Sequence, residues 1–167
     1  MKKVDVAVIL AVYGNERKSI LKKVIAYHKL QSLRVHFVVV DLLQHDQTEL
    51  FKCEGVTTVP ICMDDYNLDL CQKEAAWNIG TTYTNTDKYI FLDADVYCED
   101  VNWFSSIVSL LNKDSRNIVQ VFESVTDTVD FNQAFHSVKI SKSSSKVIHP
   151  TNPGIGWAMT KEMFDKI

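Results

Sequence analysis

Short apolar runs without polar alternation constrain this chain more than any other feature. Val4–Val12, Arg34–Val40 and Lys88–Leu92 are dominated by β-branched, aromatic and other apolar residues. A strand with one face in water alternates apolar and polar side chains, so runs of this kind belong to strands buried on both faces. Segments of helical spacing separate them. Ile20, Leu21, Val24, Ile25 and His28 recur within Lys18–Gln31, and Val101, Phe104, Val108 and Leu111 within Val101–Asn112. A helix is also expected at about Leu68–Thr82, with Gly80 near its end. Further strands are expected at Asn117–Phe122 and at Gly55–Met63, where Pro60 argues for an edge or a strand end. Strands alternating with helices give a mainly parallel central sheet with helices on both faces, a Rossmann-like α/β fold.

Length and charge bound the rest. A chain of 167 residues suits a single domain spanning 1–167, and 46% apolar with 23% charged residues describes an ordinary globular protein. A net charge of -3 with dispersed basic residues gives no pull toward nucleic acid, so none is expected as a partner. No stretch reaches the length of a membrane span, and the N-terminus lacks the pattern of a signal peptide. A cytoplasmic location is therefore expected, with Cys53, Cys62, Cys71 and Cys98 reduced. They contain no Cys-x-x-Cys and have no histidine at a zinc-site interval, so they read as half-buried thiols.

The residues that carry chemistry are Asp93 and Asp95, which close the Lys88–Leu92 run. A buried strand has no reason of its own to end on two negative charges separated by one alanine. Ligands of open α/β sheets bind beyond the carboxyl ends of strands, and two carboxylates there suit a hard divalent cation completed by substrate phosphates. The bland alternative is that both cap the turn into the next helix. The first strand is followed by Ala11-Val-Tyr-Gly-Asn-Glu16, with one glycine. That excludes a Gly-x-Gly-x-x-Gly loop, a Walker A loop and the glycine-rich opening of a sugar nucleotidyltransferase. Without a backbone nest, a diphosphate would be neutralised by a metal ion held at Asp93 and Asp95.

In this order of parts the chain resembles glycosyltransferases of the GT-A fold, of the family 2 type, and is similar to β-1,4-galactosyltransferases. The resemblance rests on Ala11-Val-Tyr-Gly-Asn-Glu-Arg17 after the first strand and on Asp41 at the second. It continues through Lys73-Glu-Ala-Ala-Trp-Asn-Ile-Gly80, Asp87-Lys-Tyr-Ile-Phe-Leu-Asp-Ala-Asp95 and Gly154-Ile-Gly-Trp-Ala-Met-Thr-Lys-Glu-Met-Phe164. It implies a metal-dependent, inverting transfer of a hexose from a nucleoside diphosphate sugar, UDP-linked, to a hydroxyl of a glycan or similar acceptor. Mn2+ or Mg2+ would be held by Asp95 with Asp93, and Asp93 would contact ribose or metal. Tyr13 and Asp41 would hold the base, and Lys73 would face the diphosphate. Gly154, Gly156 and Trp157 would line the donor sugar or the acceptor. Asn78 is expected to hydrogen-bond the strand bearing the aspartates, and His149 is a further metal or acceptor contact.

Two departures qualify the resemblance. From Glu123 to Asn152 the pattern dissolves, and Ser141–Lys146 reads as a polar, mobile loop before a turn bracketed by Pro150 and Pro153. Gly154–Met159 then leads into a helix capped by Thr160. Inverting members carry an acidic general base about twenty residues after the glycine turn, beyond Ile167, and Asp165 lies too near the turn for that role. The chain is a domain lacking its C-terminal part, a naturally short protein, or one whose base comes from elsewhere; the first is favoured because the domain would also lack its last helices. The rival function is a non-catalytic nucleotide-sugar-binding or scaffolding module of the same fold.

Overall fold

The computed structural model describes residues 4–43, 49–63, 73–122, 124–128, 135–139 and 156–167. In chain order the elements are β1 (Val6–Tyr13), α1 (Asn15–His28), β2 (Val35–Leu43), β3 (Val56–Cys62), α2 (Lys73–Thr81), β4 (Lys88–Asp93), β5 (Val96–Tyr97), α3 (Trp103–Lys113), β6 (Ile118–Gln120), β7 (Ser124–Thr128), β8 (Phe135–Lys139), β9 (Gly156–Thr160) and α4 (Lys161–Phe164). A six-stranded sheet runs β3-β2-β1-β4-β9-β6, and a three-stranded sheet runs β5-β8-β7. β3, β2, β1 and β4 are parallel, while β9 is antiparallel to both β4 and β6. The expected α/β fold with a mainly parallel sheet is therefore present. β3 is an edge strand, as Pro60 requires.

The apolar runs are buried on both faces because helices lie on both sides. Val6, Val8, Leu10, Phe37, Val39, Ile90 and Leu92 pack under Leu21 and Ile25 of α1 and Phe104 and Ile107 of α3. The alternate residues Ala7, Ile9, Val38, Val40 and Phe91 pack under Ala76 and Trp77 of α2. Thus α1, which follows β1, covers one face, and α2, which precedes β4, covers the other. Strand order reverses at β1: β2 lies on one side of it and β4 on the other. The carboxyl ends of β1 and β4 flank that reversal, the position where open α/β sheets bind ligands.

Two expectations change in detail. Residues 156–160 were expected to belong to a turn before a helix; they form β9, while Thr160 caps α4 by accepting from the Met163 N–H at 3.2 Å. β2 runs on to Leu43, so Asp41 lies inside the strand rather than at its end. Residues 49–55, on the way from β2 to β3, have no regular secondary structure. They are tied down instead by α1: the ammonium groups of Lys18 and Lys29 donate to the carbonyls of Glu49 and Glu54. Phe51 fills the core beneath, 2% exposed.

Candidate functional site

Asp93 is the last residue of β4 and pairs in register with Ala11 of β1, which puts its carboxylate at the strand-order reversal. Asp95 follows in the turn before β5 and is half-buried. Lys73, the first residue of α2, reaches across with its Nζ 2.7 Å from Asp93 Oδ1. The same ammonium stands 5.2 Å from the centroid of the Trp77 ring, one helical turn on. Burial pushes the Asp93 carboxyl above its ordinary value, and repulsion from Asp95 adds to this. The hydrogen bond and charge of Lys73, and the charge of Arg17 in the first turn of α1, act the other way.

The donor set can be weighed against a metal ion. Among the described residues no group of three or more His, Cys, Asp or Glu side chains comes together. An all-protein cage is therefore not formed by them. Magnesium and manganese need less: one or two carboxylates suffice when substrate phosphates and water complete the sphere. The mutual repulsion of Asp93 and Asp95 is also what a cation between them would relieve. The two aspartates fit such an ion with a phosphate-bearing partner.

The other expected residues divide. Tyr13 ends β1, paired with Leu42, and packs against the α2-side core while remaining partly exposed. Trp157 lies on β9 opposite Phe91 and lines a cleft of about 520 Å³ with Trp77, Asn78, Phe91, Met159 and Phe164. Asp41 differs from expectation. It is 0% exposed, its Oδ2 accepts from the Phe51 N–H at 2.6 Å, and its Oδ1 lies 3.0 Å from the Lys18 Nζ. It anchors the 49–55 segment beneath the surface, and its carboxylate presents no exposed face to a base.

Gly156 also has a packing reason. A Cβ there would come within 2.7 Å of Leu92 Cδ2 and Val121 Cγ2 and 3.0 Å of the Phe91 carbonyl oxygen. Asn78 is exposed on α2 and, among the described residues, makes no hydrogen bond to β4, because it lies on the outer side of the helix. Gly154 and His149 lie outside the described residues. Two participants escape the sequence reading altogether. Lys18, the partner of Asp41, entered only as the start of the expected helix, with no role given to its charge. Arg17 acts on Asp93 from the start of α1, and its place in the first turn after β1 was the available signal.

No protein-family model and no curated protein matches the chain. Its structure is similar to that of the mannosyltransferase PcManGT from Pyrobaculum calidifontis, solved in complex with GDP-Man and Mn2+. The TM-score is 0.61 over 99% of this chain, at 14% sequence identity. It is also similar to S. aureus TarS 1-349, with a TM-score of 0.50 over 68% of this chain at 14% identity. The chain spans about half of the first protein (47%) and about a third of the second (34%). At such identity the likeness is one of fold: the chain shares the α/β architecture of these two proteins.

Proposed function

We propose that the chain is the nucleotide-sugar-binding part of a glycosyltransferase that moves a hexose from a nucleoside diphosphate donor, UDP-linked, to a hydroxyl of a glycan or similar acceptor. The observation that carries the reading is the pair Asp93 and Asp95, with Lys73, at the carboxyl ends of β1 and β4. The GDP-Man and Mn2+ of the mannosyltransferase of like fold support it. Manganese or magnesium bound at the aspartates would supply positive charge to the diphosphate oxygens. Asp93 and Asp95 would orient the diphosphate through that charge. Lys73 and Arg17 would add their own as the bond from the anomeric carbon to the diphosphate oxygen breaks and the electron pair stays with the leaving group. Acceptor oxygen would bond to the anomeric carbon from the opposite face, with its proton passing to a base. Asp165 is not that base in this arrangement: it is exposed and paired with Lys161 at 2.8 Å.

The test is calorimetric titration with UDP and with GDP, each with manganese and with chelator, on the parent and on Asp95→Ala. Manganese-dependent binding in the parent, lost in Asp95→Ala with the fold retained, is the expected result. Equal affinity in parent and variant, with or without chelator, would sink the assignment of the aspartates. A preference for GDP would change the base and leave the site in place.

A further inference from the structure

We infer that Lys73 is a placeholder for the divalent cation at Asp93 and is drawn off by the donor's diphosphate, so that metal and nucleotide assemble on this site cooperatively. The inference rests on the functional reading above and adds the order in which the ligands can gather.

The ammonium of Lys73 and a divalent cation compete for one oxygen. Lys73 Nζ is 2.7 Å from Asp93 Oδ1, and both side chains are about one-third exposed, at 33% and 28%. A cation ligated by Asp93 either displaces the ammonium from that oxygen or binds the other oxygen with a positive charge beside it. Two cations held on one carboxylate repel each other, the more strongly because the metal carries two charges. The metal alone therefore meets competition, repulsion or both.

A diphosphate reverses this balance. Its oxygens receive a lysine ammonium as a point charge and also complete the coordination sphere of a hard cation. Lys73 can make the transfer without moving α2, because its ammonium is partly exposed and carried on a flexible four-carbon stem. The Trp77 ring, 5.2 Å from the same nitrogen, keeps an electrostatic partner beside the ammonium once Asp93 is released. Whatever factor the nucleotide lends to metal affinity, the metal lends to the nucleotide. The rival role for Lys73 is to hold Asp93 in its ligating orientation, and that role predicts the opposite sign when the charge is removed.

The experiment measures free Mn2+ by electron paramagnetic resonance for the parent, Lys73→Met, Lys73→Gln and Lys73→Arg. Each is titrated with and without UDP, or GDP if the calorimetric titration selects it. Removing the charge should tighten binding of Mn2+ alone by about tenfold. The gain in Mn2+ affinity on adding nucleotide should shrink by a similar factor. Lys73→Arg should keep the parent's weak binding of Mn2+ alone. Should either neutral variant, folded as judged by its melting curve, bind Mn2+ alone no more tightly than the parent, the placeholder is overturned. Metal and nucleotide binding to the parent with no coupling between them would also overturn it, leaving the functional reading intact. A parent that binds neither ligand would remove the functional reading itself.

Discussion

At the scale of single residues, the buried charges and rings behave differently from the exposed ones that surround the site. His28, on the covered face of α1, is 1% exposed and packs with its ring 5.1 Å from Phe104 and 5.7 Å from Trp103. Burial lowers its pKa to about 3, against a weak opposing interaction with the Val96 backbone. Neither ring nitrogen has a well-formed hydrogen bond among the described residues. The folded protein thus holds the neutral ring. From about pH 6.5 downward the unfolded chain takes up a proton that the folded protein refuses until about pH 3. Stability should therefore fall with falling pH by about 1.4 kcal/mol per pH unit on account of this one group. Urea unfolding at about pH 7 and about pH 5 should show a loss of about 2 kcal/mol from this group in the parent, the full slope developing only below about pH 6, and a smaller loss in His28→Leu. The spacing of apolar residues made the burial of His28 legible, and two charges ending a buried strand made Asp93 and Asp95 legible. Lys18 was not, because nothing local to it announces that Asp41, on another element, lies beneath it.

At the scale of elements, the strongest hydrophobic runs became strands, and the helical spacings became helices close to where periodicity put them. The failure is β9. Gly154-Ile-Gly-Trp-Ala-Met159 is short and carries two glycines, which locally favour a turn. The strand character of Gly156–Thr160 comes from being paired on both sides, by β4 and β6, and strand preference is mostly a matter of such context. The same pairing explains Gly156 as a space requirement. Gly156→Ala should destabilise the ligand-free protein by about 1–3 kcal/mol, since the new methyl meets Leu92, Val121 and a backbone carbonyl. Thermal or urea unfolding without any nucleotide checks this. A stable Gly156→Ala protein with damaged donor binding would return the glycine to a ligand-facing role.

At the scale of the whole molecule, the parallel order of the central strands could be read from their unbroken apolar character. The second sheet could not, because β7 and β8 lie in a part of the sequence without a clear period. The reversal of strand order at β1 has an energetic reading. A ligand that binds at that reversal would hold the folded arrangement and not the open chain, so it should raise stability by mass action. At about one hundred times its dissociation constant the gain is about 2.7 kcal/mol, worth about 5–10 °C in melting temperature for a chain of this length. UDP with manganese should produce that rise in a melting experiment, and either alone should produce much less. One consequence concerns time rather than affinity. β4 is flanked by β1 and β9, with Ile90 and Leu92 fully buried. Strands so enclosed exchange their amide hydrogens only when the domain opens as a whole. Asp93 therefore stands at the end of one of the slowest-opening parts of the molecule, while the lysine that faces it reaches it on a long, partly exposed side chain.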